Sequence, residues 1–260
     1  MTLAQQLTTV EMASAVLRVT RRVTVWTPPN ARASDRYPVL YLNDGQNLFD
    51  PARAFAGVTW RVAETASAMI EAGAIRPIVI VGIDHGEMLR AREYLPVEDD
   101  RNPFARRPRA AKYAQFVTSE LMPAIERAFP VARGASSTGF GGSSYGAIAA
   151  LFTAMYRPGV FGRLLIESPS LYVGRGALLR RARAMQRWPQ RIYLGVGTAE
   201  TSREDWNVET VTNVTRLATT LRAAGLGPRR LHVVVEEGAS HSEGAWAGRL
   251  PHALQFLFGR

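Results

Sequence analysis

Cysteine is absent from the 260 residues, which excludes disulfides, thiolate nucleophiles and cysteine-based zinc or iron–sulfur sites together. Histidine is scarce. His85, His232, His241 and His252 are the only four, and none stands in a His-Glu-x-x-His or another close metal-ligand spacing. The expectation is therefore no metal and no cofactor. Long apolar runs are also missing: nothing approaches the ~18 residues of a membrane span. Residues 1–30 lack a basic leader followed by an apolar run and a small-residue cleavage site, so the chain reads as soluble and cytoplasmic, with no membrane partner. Lysine is almost absent, Lys112 being the only one.

What remains is ordinary for a globular chain, 47% hydrophobic and 21% charged, which excludes disordered, collagenous and coiled-coil classes. Length and the lack of any linker or repeat predict a single domain over 1–260, large enough to enclose a site. The net charge of +10 comes from 32 basic and 22 acidic residues. Its arginines concentrate twice, at Arg101, Arg106, Arg107 and Arg109 and at Arg180, Arg181, Arg183, Arg187 and Arg191. No nucleic-acid motif accompanies either group, so a solvated surface is the simpler reading and no nucleic-acid partner is expected.

Periodicity predicts a β-rich beginning followed by alternating strands and helices. Residues 14–26 read as an antiparallel strand pair ended by Pro28 and Pro29. Buried strands are expected at Pro38–Asn43, Ile78–Ile83, Ser136–Gly139, Leu164–Glu167, Arg191–Val196 and Leu231–Val235. Helices are expected at Val58–Ala72, Tyr113–Phe129, Tyr145–Tyr156, Gly176–Arg187, Val208–Ala224 and Gly244–Phe258. Residues 85–111 read as a long charged, proline-containing loop at the entrance to a pocket. This alternation is that of an α/β chain with a mostly parallel sheet and helices on both faces.

The strongest chemical signal is Gly142-Ser143-Ser144-Tyr145-Gly146, a Gly-x-Ser-x-Gly pattern placed where a short strand turns into a helix. Ser144 fits as a nucleophile there, while helix capping is the structural alternative for it and for Ser143. A serine hydroxyl needs a base, and His241 lies between the last strand and the last helix, where that base is expected. His232 reads as a packed strand residue, His252 as a surface or packing group of the closing helix, and His85 as a loop residue near the pocket. The acid should lie between serine and base in the sequence. Glu200 follows the strand run YLGVGTA and is the first choice, with Asp205 and Glu204 as competitors. The backbone N–H of Tyr145 and that of Gln46, in the loop opened by Asp44-Gly45, are the candidate oxyanion donors.

Six blocks in order, YPVLYLNDGQNLFD, IVIVGIDHGEMLRAREYLP, GFGGSSYGAIAALF, FGRLLIESPS, YLGVGTAE and GASHSEGAW, resemble the esterase D-like, enterochelin esterase-like and feruloyl esterase-like branch of the α/β-hydrolase superfamily, which also contains mycolyltransferases. The resemblance implies the α/β-hydrolase fold with Ser144 as nucleophile, His241 as base, Glu200 as acid, and Gln46 and Tyr145 as amide donors. It implies supporting roles for Glu243 and Trp246 beside the histidine and structural roles for Arg90 and Glu93. Tyrosine after the nucleophile and glutamate as the acid depart from many relatives. The expected activity is cofactor-independent hydrolysis of a small-molecule ester, an acidic one if Arg106, Arg107 and Arg109 steer it. An acyltransferase and a silent binding protein on the same fold are the alternatives.

Overall fold

In a strand buried on both faces, alternate residues serve two different cores. Val39 and Tyr41 pack into one core, and Leu40 and Leu42 into the other. Leu164 and Ile166 are separated from Leu165 in the same way, and Ile192, Leu194 and Val196 from Tyr193. The structure is a computed structural model that describes residues 7–260, and within it these runs join one eight-stranded sheet. Its strands are β1 (Leu7–Ser14), β2 (Val19–Trp26), β3 (Val39–Asn43), β4 (Val79–Ile83), β5 (Thr138–Ser143), β6 (Arg163–Glu167), β7 (Arg191–Gly197) and β8 (Leu231–Glu236). They lie in the order β1-β2-β4-β3-β5-β6-β7-β8. β2 is antiparallel to β1 and β4, and every pairing from β4 onward is parallel.

The helices are α1 (Val62–Glu71), α2 (Arg90–Tyr94), α3 (Ala110–Phe116), α4 (Met122–Ala128), α5 (Ser144–Tyr156), α6 (Val173–Arg183), α7 (Glu204–Ala223) and α8 (Glu243–Phe258). Val62 of α1 shares a core with Leu250 and Leu254 of α8, whereas Tyr113, Ile148, Leu178 and Leu217 bring α3, α5, α6 and α7 to the opposite face. This is the α/β-hydrolase fold, mostly parallel, covered on both faces, with a β-rich start.

Several boundaries differ from the sequence reading: α1 begins at Val62, and the helix expected at Tyr113–Phe129 is divided into α3 and α4. The antiparallel pair runs from Leu7 to Trp26 rather than within 14–26, with Leu7 opposite Trp26 and Ser14 opposite Val19. β1 escapes notice because it is an edge strand exposed along most of its length, so it shows no apolar alternation. β5 extends to Ser143 through glycines of low β propensity. They are there because β5 and β6 crowd each other: a Cβ on Gly141 would stand 2.6 Å from the Leu165 carbonyl oxygen. The segment 85–111 is not all loop, since α2 forms inside it. Ala91 and Tyr94 pack that helix into the core, and Glu93 takes two hydrogen bonds from Arg21, at 2.9 and 2.7 Å, with both side chains buried. Finally, α7 begins at Glu204 and α6 ends at Arg183, which places the competing carboxylates Glu204 and Asp205 in the first turn of α7. The C-terminal ends of β3, β5, β6, β7 and β8 all open on one edge of the sheet, the usual location of a site in this architecture.

Candidate active site

Ser144 is the first residue of α5 and has φ of 55°. A left-handed backbone is costly for an L-residue, and such strain concentrates where a side chain must be presented. The turn can be this tight because the neighbouring residues lack side chains: a Cβ on Gly146 would meet the Asp44 carboxylate at 2.8 Å and Asn43 at 3.1 Å. Asn43 closes the other side of the turn, donating from Nδ2 to the Gly146 carbonyl at 2.7 Å and accepting from the buried Tyr113 hydroxyl at 2.6 Å. Ser143, the residue before the helix, makes no capping hydrogen bond. The first-turn amides of α5, Tyr145 among them, are therefore left free of a side-chain cap.

Ser144 lines a cavity of about 270 Å³ together with His241, Glu200, Ser168, Ser170 and Trp206. His241 hydrogen-bonds through Nδ1 to Glu200 Oε2, which leaves Nε2 as the nitrogen free for a reacting hydroxyl. Glu200 is buried, and its other oxygen accepts from the Ser168 hydroxyl and the Gly197 N–H, both at 2.7 Å. Burial pushes this carboxyl up, yet the His241 contact, the serine hydroxyl and the amide together bring it below its usual range. It is a carboxylate built to stay ionised. Asp205 instead forms an exposed pair with Arg203 at 2.6 Å, outside the cavity.

Gln46 sits in the turn after β3, where Asp44 takes a left-handed φ of 57°. Among the described residues its backbone N–H finds no acceptor, while its side-chain oxygen accepts from the His85 N–H at 3.1 Å and ties the turn to the end of β4. Gly45 is required by that close approach, since a Cβ there would lie 2.7 Å from the Gly82 backbone. The turn is also clamped by Arg90, which grips both oxygens of Asp44 at 2.7 and 2.8 Å. Among the described residues, no three His, Asp or Glu side chains converge as metal ligands, and no helix is long and apolar enough to cross a membrane.

The family model described as "Putative esterase" matches residues 14–257. The chain belongs to this family. Carboxylic ester hydrolysis is the activity class that comes with it. Similar curated proteins include "Uncharacterized protein YbbA" of Bacillus subtilis (strain 168), 23% identical over 92% of this chain and 93% of that protein. "Iron(III) enterobactin esterase" of Dickeya dadantii (strain 3937) is 31% identical, but the match covers 65% of this chain and only 34% of that protein. The solved "Siderophore hydrolase EstB from Aspergillus nidulans" superimposes with a TM-score of 0.78 at 17% identity, covering 100% of this chain and 97% of the other.

Within this esterase, the three histidines that do not line the cavity lie elsewhere. His85 accepts the Glu87 N–H on Nδ1 at 3.0 Å and does not line the cavity. His232 is exposed on β8, not packed away, although its ring stacks on Tyr193 and lies tilted against Phe256; β8 is the sheet's edge strand, so one side of it meets solvent. His252 is exposed on α8.

Around the cavity stand residues that motif reading did not single out. Ser168, at φ of 43°, directly follows β6 and links Glu200 to Trp246, whose Nε1 donates to its hydroxyl at 2.9 Å. Trp246 in turn meets the His241 ring edge-on with centroids 5.0 Å apart. Ser170 Oγ lies 3.5 Å from Ser144 Oγ. Asp99, buried, accepts hydrogen bonds from the hydroxyls of Tyr145 and Tyr172, and burial followed by the Asp99 contact pushes the Tyr145 phenol well above its ordinary value. A serine after a buried strand, or an aspartate in a polar loop, has no spacing that would mark it in advance.

Proposed function

We propose that this protein hydrolyses a small-molecule carboxylic ester through an acyl-enzyme on Ser144, with His241 as base and Glu200 as the acid that orients it. One observation carries the reading: a serine strained at a strand-to-helix turn shares a cavity with a histidine whose Nδ1 is held by a buried carboxylate. In the first half-reaction Ser144 Oγ attacks the acyl carbon and its proton passes to His241 Nε2. The carbonyl oxygen becomes an oxyanion, for which the N–H groups of Gln46 and Tyr145 are the donors. The tetrahedral species collapses as His241 returns that proton to the leaving alcohol. Water then attacks the acyl-enzyme, giving its proton to His241, which returns it to Ser144 Oγ as the acyl–serine bond breaks and the carboxylic acid leaves.

Glu200 stays ionised throughout. It holds the Nδ1–H tautomer and stabilises the imidazolium, without itself accepting the proton. The Ser168 and Gly197 donors on its far oxygen keep it aligned with the ring.

The direct test is turnover of p-nitrophenyl esters of increasing acyl length by wild type and His241→Ala, with circular dichroism as the folding control. The expected result is hydrolysis by wild type and a loss of about 10³-fold or more in the folded variant. Unchanged turnover in His241→Ala contradicts the reading, as does a wild type that is inert toward the whole series.

A further inference from the structure

Arg101 of the first arginine group meets Arg180 and Arg183 of the second, more than seventy residues away in the chain, around one cavity. Beside the catalytic cavity lies a second one of about 410 Å³, and the two share Arg101 and Tyr172 as a common wall. Its lining carries Arg175, Arg180, Arg183 and Arg216 in addition to Arg101. Three carboxylates also line it, Asp99, Asp100 and Glu209, but two of them are occupied. Asp99 is buried under the tyrosine hydroxyls, and Glu209 accepts from Arg101 at 2.9 Å. Among the described residues no carboxylate forms an ion pair with Arg175, Arg183 or Arg216.

The wall bearing these arginines is built rather than loose. Gly174, Arg175 and Gly176 take three successive left-handed conformations, at φ of 57°, 53° and 77°. Arg180 fastens that bend by donating to the carbonyls of Gly174, at 2.9 Å, and of Arg175. Arg101 is itself fixed, its guanidinium 4.3 Å from the Tyr172 ring centre and 4.8 Å from that of Trp206. Arg175, Arg183 and Arg216 lack counter-charges in a cavity that adjoins the one holding Ser144, and such unpaired cations attract and orient an anion.

We propose that this second pocket binds an anionic group, a carboxylate or a phosphate, carried by the ester substrate at a distance from its scissile bond. This rests on the esterase reading, and it moves the charge recognition from Arg106, Arg107 and Arg109 to a different set. Arg106 is committed to Glu98 at 2.8 Å, and none of the three lines either cavity. Arg101 marks the boundary, with the ester on the Ser144 side and the anion on the Arg183 and Arg216 side.

The test uses the double variant Arg183→Gln/Arg216→Gln, since both side chains are exposed and outside the catalytic set. Two p-nitrophenyl esters of equal length are compared, one ending in a free carboxylate and one in a methyl group. The expected result is a fall of about tenfold in kcat/KM for the carboxylated ester, through KM, with the neutral ester unchanged. A parallel calorimetric titration with glutarate and with inorganic phosphate is expected to show binding to wild type that weakens by a similar factor in the variant. Whichever anion binds more tightly identifies the group. Equal changes for both esters, or no binding of either anion to wild type, overturns the proposal. If wild type cleaves no ester at all, the esterase reading fails by itself, and the titration still decides the pocket.

Discussion

Replacing Ser144 by alanine is expected to lower kcat for ester hydrolysis by about 10⁴- to 10⁶-fold while leaving the fold intact. The size of the loss follows from cooperation. Once the hydroxyl is gone, His241 and the amide donors have no nucleophile to serve, and only binding and residual oxyanion stabilisation remain. Ser144→Gly adds a second, opposite readout. The nucleophile stands at φ of 55°, a conformation that glycine adopts freely, so this variant is expected to be equally inactive but more stable by about 1 kcal/mol. Activity assays and urea unfolding on the same three proteins check both halves. A Ser144→Gly variant less stable than wild type would mean that the left-handed turn stores no strain, and residual turnover above roughly a tenth of wild type in either variant would place the nucleophile elsewhere.

Glu200→Gln is expected to reduce kcat by about 10³- to 10⁴-fold with little change in KM. The carboxylate accepts on both oxygens, from His241 on one side and from Ser168 and Gly197 on the other. An amide cannot do both. With its oxygen kept by the Ser168 and Gly197 donors, its NH₂ faces Nδ1 and favours the tautomer with the proton on Nε2, where the base should be free. Asp205→Asn, in a surface pair with Arg203, is expected to leave the rate unchanged; the reverse ranking of the two variants would refute the assignment. The pH dependence has a defined sign. Because the Glu200 carboxyl is held below its ordinary 4.5 in the folded protein, its ionisation stabilises the fold fully above that value. The contribution disappears as pH falls through the lowered folded value. The stability advantage of wild type over Glu200→Gln should therefore be present at pH 7 and shrink below about pH 4.5.

The interior of this fold is legible in the sequence because each central strand supplies both cores, producing the short apolar runs of β3, β4, β6 and β7. The edges are less so. β1 is mostly exposed, and α2 is only five residues long, with Ala91 and Tyr94 in the core and the ion pairs Arg21–Glu93 and Arg90–Asp44 beside them, so neither leaves a periodic trace. In the site, Ser144 stands in a turn whose glycines are dictated by backbone proximity, and His241 stands in the loop opposite. Both are readable from local pattern. Ser168, Ser170 and Asp99 depend on contacts between segments 26 to 73 residues apart, and only the folded chain brings these together. The arginines illustrate the same limit: in the sequence Arg101, Arg180 and Arg183 look like parts of two solvated surfaces, and only the folded chain places them around one pocket.

The central claim is that the Ser144 hydroxyl is the group that becomes acylated, and the most direct measurement is covalent labelling with a fluorophosphonate followed by peptide mass spectrometry. The account predicts one adduct per chain, located on Ser144, abolished in Ser144→Ala and strongly slowed in His241→Ala with both variants folded. An adduct on Ser143 or Ser170, or no adduct on folded wild type, would contradict it.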